Sequence, residues 1–251
     1  MNNTFREDNS LDLSSRFVIV TGAAGAIGKS ICKKYRALGA TCLPSDLLKD
    51  EGIEFCDVTD ESSVINLFNT AEKSGQVTDI VHTAGILSGI APIEEISVED
   101  FRQIVDVNLT GSFLIAREAA RRLQKGGTLT LISSQAGLRG GAYWSAYSSS
   151  KGGVNRLVDC LAEELGPRGI RVNAICPGGV QAPVLSSACE RIAELTGGTA
   201  NDILDRYSRE NPLKRLATPE DIAGACVYLS SELASYVNGT SIVVDGGELS
   251  R

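Results

Sequence analysis

The sequence predicts an α/β fold in which a doubly wound parallel sheet of about seven strands carries helices on both faces. Apolar, β-branched runs have the composition of buried strands, and segments with helical periodicity separate them. This alternation is typical of parallel strands joined by crossover helices. The predicted strands are 17–20, 41–45, 54–56, 79–82, 128–133, 170–175 and 241–244. The predicted helices are 27–38, 60–73, 99–123, 146–165 and 219–229.

The composition of the 251-residue chain is that of a globular protein with a sizeable core, since 43% of its residues are hydrophobic and 22% are charged. A net charge of −7 disfavours nucleic acids and anionic membranes as partners and favours a small molecule. No apolar run approaches the roughly 18 residues of a membrane span. Because the N-terminus is also polar, we expect a cytoplasmic protein.

The seven cysteines predict no metal site. They are odd in number and scattered, they include no Cys-x-x-Cys pair, and a single histidine is available to help them bind a metal. We interpret most of them as core thiols. They are Cys32, Cys42, Cys56, Cys160, Cys176, Cys189 and Cys226.

A glycine-rich turn follows the first predicted strand and precedes the first predicted helix. Small residues at 21–28 let the chain turn tightly, so that backbone N–H groups and the helix N-terminus can reach a pyrophosphate. The pattern indicates a Rossmann-type dinucleotide site, although an ordinary glycine turn has the same local composition. The candidate cofactor-binding residues here are Gly22, Gly25, Ala26, Ile27 and Gly28.

Asp46 ends the second predicted strand and lies 18 residues beyond Gly28. This is near the spacing of about 20 residues at which a carboxylate binds the ribose 2′-hydroxyl of NAD. The carboxylate would repel the 2′-phosphate of NADP, and no arginine stands at the turn or immediately after Asp46 to offset the repulsion. The sequence therefore predicts NAD as the cofactor. Lys29 and Lys49 are the alternative partners for a phosphate, and a solvated aspartate is the simpler interpretation of Asp46.

Tyr147 and Lys151 are four residues apart in the helix predicted at 146–165, so they share one helix face. A cation about 4 Å from a phenol is worth roughly 1 to 4 kcal/mol. We therefore expect Lys151 to lower the pKa of Tyr147 by about one to three units, toward a working pH for proton transfer. Taken alone, the same two residues would be a common surface pair at helical spacing.

These features resemble the motifs of the short-chain dehydrogenase/reductase family, of the type with roughly the length of this 251-residue chain. The resemblance extends from residue 13 to residue 247, and its motifs occur in the family's order and spacing. They are the turn at 21–28, Asp57 with Val58, the segment 82–85, the set Asn108, Ser134, Tyr147 and Lys151, the loop at Pro177 and Gly178, and the segment 244–247.

The resemblance implies reversible hydride transfer between a carbinol carbon and the nicotinamide of NAD. It implies that Tyr147 is the general acid/base, that Ser134 hydrogen-bonds the substrate oxygen, and that Lys151 lowers the tyrosine pKa and holds the nicotinamide ribose. Asn108 would support a water chain that carries the proton to solvent. The further cofactor contacts implied by the resemblance are Asp57, Val58, Ala84, Gly85, Tyr147, Lys151, Pro177, Gly178 and Val180.

Three positions depart from the family pattern. Ala26 adds a methyl group where the backbone approaches phosphate. His82 replaces an asparagine, and we expect it to have a structural role at the strand end, with a histidine base as the alternative. Ala182 stands where the family often has a threonine that contacts the carboxamide, which affects one hydrogen bond to the cofactor.

No linker or internal repeat divides the chain. We expect residues 1–12 to be a flexible N-terminal extension and residues 13–251 to be one dinucleotide-binding catalytic domain. Residues 183–214 are the least typical of the family, and we expect a substrate lid there, with helices near 187–195 and 200–208. A surface insertion without a substrate role is the alternative. The candidate substrate residues are Gln135, Arg139, Tyr143 and Trp144, of which Trp144 could instead be a packing residue.

We therefore predict an NAD(H)-dependent oxidoreductase of a small secondary alcohol or its ketone, such as a polyol, a cyclic alcohol or a hydroxy acid. One alternative is an NADPH-dependent 3-oxoacyl-thioester reductase, in which Lys125 and Arg168 could meet an acidic carrier protein. The other is a non-catalytic NAD-binding sensor, because a fold alone does not guarantee activity.

The sequence also predicts a homotetramer. The predicted helix 99–123 carries more apolar surface than one sheet contact needs. The resemblance implies pairing through this helix and 146–165, and separately through 219–247, and two such interfaces on perpendicular axes close as a tetramer. Burial of the excess within a large monomer core is the alternative. The apolar residues concerned are Phe101, Ile104, Val105, Leu109, Phe113, Leu114 and Ile115.

Overall fold

A computed structural model describes residues 11–48 and 50–250 of the chain. In this part of the chain, seven strands form a single sheet in the order β3-β2-β1-β4-β5-β6-β7, and every neighbouring pair is parallel. The strands are β1 (Phe17–Thr21), β2 (Thr41–Asp46), β3 (Glu54–Phe55), β4 (Asp79–His82), β5 (Thr128–Ile132), β6 (Arg171–Pro177) and β7 (Ser241–Val244). The predicted parallel, seven-stranded sheet is confirmed.

Helices cover both faces of this sheet. They are α1 (Ala26–Ala37), α2 (Glu61–Ser74), α3 (Val98–Val105), α4 (Gly111–Arg122), α5 (Ser145–Leu165), α6 (Pro183–Thr196), α7 (Ala200–Glu210) and α8 (Pro219–Ser230). Strand residues alternate between the faces, so Ile19 packs with α2, α4 and α5, whereas Val18 packs with α1 and α8. The doubly wound Rossmann-type architecture is confirmed.

The helix predicted at 99–123 is interrupted. Two α-helices, α3 and α4, are joined by a π-helical turn at Asp106–Thr110. The side chain of Asn108 in this turn bonds the backbone of Ile86, and the widened turn is compatible with that contact. Hydrophobic periodicity predicts helix throughout such a segment, because a single π turn leaves the apolar pattern on either side almost unchanged.

The order of the strands reverses at β1, which pairs with β2 on one side and with β4 on the other. The chain leaves β1 for α1 through the glycine-rich turn, and it leaves β4 through residues 83–92. In open parallel sheets, a crevice forms at the carboxyl ends of the strands where the order reverses, and ligands bind there. The fold thus places the glycine-rich turn beside the segment that follows β4.

The segment 183–214 contains two helices, α6 and α7, as predicted, and both are longer than predicted. Pro183 occupies the first turn of α6, where a proline lacks no needed N–H donor, so the helix begins earlier than its apolar pattern. Thr199 and Asp202 form a capping box that begins α7. Most of the predicted extension 1–12, and Lys49 as a phosphate partner, lie outside the described residues.

Candidate active site

Tyr147 and Lys151 lie on the first turns of α5, at the carboxyl edge of the sheet. The Lys151 ammonium is buried and donates a hydrogen bond to the Ile132 carbonyl, at 2.8 Å, where β5 ends. Its Nζ is 5.9 Å from the centroid of the Tyr147 ring. Trp144 packs edge-on against the same ring, with 5.8 Å between ring centroids. The tyrosine is therefore held between a cation and an indole.

Burial controls the protonation of both residues. Desolvation raises the pKa of Tyr147 to about 12, although a hydrogen bond with the Ser134 hydroxyl opposes the shift. Desolvation also lowers the pKa of Lys151 to about 8. The expectation that Lys151 lowers the pKa of Tyr147 is therefore wrong for the protein alone. The cost of burying the phenolate is the largest influence on this pKa, and the Lys151 ammonium, which bonds the Ile132 carbonyl, is not among the groups that shift it.

Ser134 lies just beyond the end of β5 and begins a short 3-10 turn at Gln135–Gly137. Its hydroxyl oxygen accepts a hydrogen bond from the Ala136 N–H, at 3.1 Å, which fixes the side chain. Ser134 also influences the Tyr147 phenol, whose pKa it lowers, and both side chains line the same cavity. This arrangement presents two donors to a single small oxygen of a bound molecule.

Asn108 is fully buried in the π-helical turn. Its Oδ1 accepts from the Ile86 N–H at 2.8 Å, and its Nδ2 donates to the Ile86 carbonyl at 2.9 Å and to Ser150 Oγ at 3.1 Å. A Cβ on Gly85 would lie 3.1 Å from Asn108 Oδ1 and 3.3 Å from Lys151 Nζ. Asn108 thus holds the segment after β4 against α5, close to the lysine.

The glycine-rich turn is packed too tightly for larger residues at two positions. Gly22 has φ +69°, and a Cβ there would lie 2.6 Å from the Ala84 nitrogen. A Cβ on Gly28 would collide with the Gly22 carbonyl oxygen. Gly25 precedes α1 without a side-chain cap, which leaves the N–H groups of the first helical turn available to an anion. Ala26 begins α1, and Ile27 lines the neighbouring cavity.

Asp46 ends β2 beside this turn. Its Oδ2 accepts from the Ala24 N–H at 2.9 Å, and its Oδ1 accepts from the Leu48 N–H at 3.0 Å. Two backbone donors therefore fix the carboxylate next to the glycines. Lys29 is an exposed residue of α1.

Asp57 and Val58 follow β3 at the same edge of the sheet. Asp57 Oδ1 accepts from the N–H of Thr59, at 2.9 Å, and from its hydroxyl, at 2.7 Å. The buried side chain of Val58 faces Gly111, where an added Cβ would lie 2.9 Å from Val58 Cγ2. The Asp57 carboxylate therefore stabilises its own turn, and Val58 packs against the start of α4.

A cavity of about 660 Å³ opens between the catalytic candidates and the segment 183–214. Its wall contains Ser134, Tyr147 and Lys151, but not Asn108, which lies behind it. Other predicted residues of this wall are Ile27, Gly85, Gln135, Arg139, Trp144, Pro177, Gly178 and Val180. The wall does not include Gly22, Gly25, Ala26, Gly28, Asp46, Asp57, Val58 or Ala84, which lie toward the glycine-rich turn.

Of the four candidate substrate residues, Tyr143 does not line the cavity. Its backbone has φ +71°, and its side chain packs with the apolar cluster of α6 and α7 rather than lining the cavity. Sequence reasoning also missed Glu210 and Glu248, which do line it. Glu248 Oε1 accepts from Gln135 Nε2 at 3.0 Å, across 113 positions of sequence. No local pattern signals a contact over such a separation.

His82 lies at the end of β4 and is almost completely buried. Its Nδ1 is 2.6 Å from Thr21 Oγ1, across the β1–β4 pairing. Burial lowers the pKa of His82 to about 3, so the ring is neutral at physiological pH. His82 is absent from the cavity wall, an arrangement that agrees with the structural role expected for it. Ala182 caps α6 and lines the cavity with its methyl group.

Two features are absent from the part of the chain that the structure describes. No group of three or more His, Cys, Asp or Glu side chains is arranged to hold a metal ion. No described helix is both long and apolar enough to cross a membrane.

The chain matches a family model described as enoyl-(acyl carrier protein) reductase over residues 22–248. It is 34% identical to a short-chain type dehydrogenase/reductase of Sinorhizobium fredii over 94% of this chain, and it spans 44% of that protein's length. It is 33% identical to the cis-4-hydroxycyclohexanecarboxylate dehydrogenase of Sinomonas cyclohexanicum, covering 93% of this chain and 96% of the relative.

Among solved structures, levodione reductase superposes with a TM-score of 0.88 at 28% identity, covering 94% of this chain and 98% of that one. The family match and the extent of these similarities agree with the fold, with the half-buried tyrosine and buried lysine of the cavity, and with the glycine-rich turn. The chain therefore belongs to the short-chain dehydrogenase/reductase family of oxidoreductases, which interconvert alcohols and ketones with a nicotinamide cofactor.

Proposed function

We propose that this protein is an NAD(H)-dependent oxidoreductase of a small secondary alcohol and its ketone, with Tyr147 as the general acid/base. One observation carries the proposal. Ser134 and Tyr147 both line the wall of the cavity, where their side chains interact, and the buried Lys151 lines it next to them. A carbonyl or carbinol oxygen placed between the two hydroxyls would meet both a hydrogen-bond donor and a proton carrier.

The residues around the glycine-rich turn fit a dinucleotide. Gly22 and Gly28 leave no room for a methyl group, which lets the turn pack tightly against the segment after β4 and against itself, and the uncapped start of α1 would supply N–H donors to a pyrophosphate. Gly85, Pro177, Gly178 and Val180 would line the nicotinamide end, where Lys151 would hold the ribose. When bound, the nicotinamide supplies the hydride exchange.

Tyr147 and its neighbours would handle the proton. Because the pKa of Tyr147 is about 12 in the protein alone, the phenol keeps its proton at neutral pH, which suits donation to a ketone oxygen. Ser134 would hydrogen-bond the same oxygen and stabilise the developing alkoxide. Asn108 would hold the backbone of Ile86 in place and support the passage of the proton away from Lys151 toward solvent.

Asp46 supports NAD rather than NADP. The bonds from Ala24 and Leu48 fix its carboxylate beside the turn, so the side chain cannot easily move away from a 2′-phosphate. Two negative groups in such proximity repel each other. The ribose 2′-hydroxyl of NAD, by contrast, can donate a hydrogen bond to this carboxylate.

The substrate wall favours a small molecule with an apolar skeleton. Leu87, Trp144 and Leu185 supply apolar surface, and Gln135 and Arg139 supply polar groups. A cyclic alcohol, a hydroxy acid or a polyol fits this mixture. The relative from Sinomonas cyclohexanicum, by its name, acts on a substrate that is both a cyclic alcohol and a hydroxy acid.

We propose that 183–214 acts as the substrate lid of a single domain. Ala182, Val184, Leu185, Tyr207 and Glu210 all line the cavity, and they belong to α6, to α7 or to the cap of α6. The two helices pack against each other over a cluster that includes Leu87 and Ile90, which follow β4. A segment with its own small core can move as a unit over the substrate.

A homotetramer remains our proposal for the assembly. Phe101 on α3 and Phe113 on α4 are 40% and 45% exposed, whereas Ile104, Leu114 and Ile115 are buried in the core. A second apolar surface contains Tyr228 and Val243 at α8 and β7. Exposed aromatic and aliphatic side chains on two separate surfaces support two interfaces.

The reduction of a 3-oxoacyl thioester is the second candidate, because the description of the matched family model favours an acyl-carrier substrate. The contacts of Arg168 weigh against it. Its guanidinium donates to the Ala120 carbonyl at 2.6 Å and to the Leu123 carbonyl at 3.1 Å, so its donors are already used at the end of α4. A sensor without activity has no need to place Ser134, Tyr147 and Lys151 together in the cavity wall.

The experiment is a screen of secondary alcohols with NAD and with NADP, in which nicotinamide absorbance measures the reduction of the cofactor. Cyclic alcohols, hydroxy acids and polyols should reduce NAD, with little reduction of NADP. A 3-oxoacyl thioester reduced with NADPH, in preference to every alcohol and ketone in the screen, would support the second candidate instead.

A further inference from the structure

The side-chain amide of Gln135 is held in one orientation beside Ser134. Gln135 follows Ser134 directly in the chain, and both residues line the cavity. Its Nε2 donates a hydrogen bond to Glu248 Oε1 at 3.0 Å. An ionised carboxylate can only accept hydrogen bonds, so this contact assigns the NH2 group of the amide to the side of Glu248. The amide oxygen of Gln135 therefore points away from Glu248 as an acceptor.

This amide oxygen is an unsatisfied acceptor. Gln135 Oε1 is buried, and it has no hydrogen-bond partner among the residues that the structure describes. It lies next to Gly178, another residue of the cavity wall, where an added Cβ would be 3.2 Å from this oxygen. Most buried polar atoms in proteins are paired, and an acceptor without a donor is costly. A donor on a bound molecule would remove this cost.

The turn that follows β7 carries Glu248 to the cavity and fixes it there. The Asp245 carboxylate accepts hydrogen bonds from two backbone N–H groups of this turn, at 2.8 Å and 2.7 Å. The Asp245 carbonyl accepts from Asn211 Nδ2, which joins the turn to the end of α7. Glu248 begins the short 3-10 helix that ends the described chain. Its carboxylate thus meets Gln135 from a braced turn and can hold the amide in position.

The charged residues of the cavity wall indicate which kind of donor fits. Arg139 and Lys151 are basic, and Glu210 and Glu248 are acidic. An ammonium group would have to enter beside the two basic side chains, and a carboxylate group next to Gln135 would be repelled by Glu248. A hydroxyl group is uncharged and can donate a hydrogen bond. The wall beside Ser134 is therefore suited to a hydroxyl group.

We propose that Gln135 is a specificity-determining residue, whose amide oxygen accepts a hydrogen bond from a second hydroxyl group of the substrate, and that Glu248 positions this amide. The inference rests on the proposed function, in which Ser134 and Tyr147 bind the first hydroxyl group. Because Gln135 is adjacent to Ser134, the second hydroxyl belongs on a carbon close to the reacting one. The preferred substrates are therefore vicinal diols and polyols.

The test compares two alcohols that differ by one hydroxyl group, cyclohexanol and vicinal cyclohexanediol in its cis and trans forms. Ligand-observed NMR titrations of the full-length protein give the Kd of each alcohol, and NADH is present so that no alcohol is oxidised. At least one form of the diol should bind about fivefold or more tightly than cyclohexanol, the effect of one hydrogen bond. A smaller ratio for both forms would overturn the proposal.

This measurement and the proposed function can fail separately. Nicotinamide absorbance with NAD measures oxidation of the same alcohols, and an absence of oxidation would contradict the proposed function. The ratio of the Kd for cyclohexanol to the Kd for the diol does not require turnover. This ratio alone therefore supports or overturns the role of Gln135.

Variants test the two residues. Gln135→Met keeps the length of the side chain without the amide and should bring the ratio of Kd values close to one. Glu248→Gln removes the charge that orients the amide and should lower the ratio. The matched control is Glu164→Gln, at an exposed glutamate of α5, which should keep the wild-type ratio. A wild-type ratio in Gln135→Met would contradict the specificity role, and one in Glu248→Gln would contradict the positioning role.

Discussion

Lys151→Met tests the burial of the active-site ammonium through its effect on stability. In the folded protein, desolvation lowers the pKa of Lys151 from 10.5 to about 8. The unfolded chain restores the ordinary value, so between these two values the unfolded state binds a proton that the folded state does not. The free energy of unfolding of the wild type therefore rises with pH in this window, and the full cost of the buried charge is present below pH 8.

Methionine has a similar shape and does not titrate. At about 1.36 kcal/mol per pKa unit, the stability of the wild type relative to Lys151→Met should increase by about 2.5 kcal/mol between pH 7 and pH 10. Urea unfolding at the two pH values measures this difference in the free energy of unfolding. The fluorescence of Trp144, the single tryptophan, which packs on Tyr147, reports the unfolding. Groups common to both proteins cancel in the difference.

The control is Lys73→Met, at an exposed lysine near the end of α2, which should show no comparable dependence on pH. A difference between wild type and Lys151→Met that stays constant within about 0.5 kcal/mol over this range would refute the reasoning, because it would mean that folding leaves the lysine pKa unchanged.

Three further predictions concern the cofactor and the assembly. Gly28→Ala should weaken dinucleotide binding at least about tenfold, because its Cβ collides with the Gly22 carbonyl. Calorimetry measures the Kd. The control Gly224→Ala, where an added Cβ meets nothing, should bind the dinucleotide with the wild-type Kd. Asp46→Arg should move the ratio of NAD to NADP affinity toward NADP by at least about tenfold; a wild type that already prefers NADP would show that Asp46 is misinterpreted. Light scattering of the wild type should give a mass four times the 26.5 kDa of one chain. Phe113→Lys, at an exposed phenylalanine, should reduce the tetramer to a dimer. A wild-type mass near 26.5 kDa would contradict the proposal.

The sheet could be predicted from the sequence because buried parallel strands are continuous apolar runs. The predicted and observed bounds of β4 and β7 coincide at 79–82 and 241–244. β6 runs two residues further than predicted, to Pro177, because its end is fixed by pairing with β7 rather than by its own composition. The π-helical turn around Asn108 was not predictable, because it depends on a contact with the distant backbone of Ile86.

Part of the candidate site could likewise be predicted from the sequence, and part could not. Tyr147, Lys151 and the glycine-rich turn are local patterns whose geometry follows from helix and turn spacing, and all of them lie at the carboxyl edge of the sheet. The raised pKa of Tyr147 was not predictable, because it depends on how much water the fold removes from the phenol. Glu210 reaches the cavity from the end of α7, and Tyr143 packs with the apolar cluster of α6 and α7 instead of lining the cavity. These features arise from tertiary packing, which spacing in sequence does not contain.

The most direct test of the central claim, that the Tyr147 phenol transfers the proton, is a comparison of wild type with Tyr147→Phe on an active alcohol at saturating NAD. Only one oxygen is removed, and the phenyl ring can keep its contact with Trp144. The account predicts that kcat falls by at least about 10² while the Kd for NAD changes less than about threefold. A variant that keeps more than about a tenth of the wild-type kcat would contradict it, because general acid–base catalysis typically contributes roughly 10² to 10⁴.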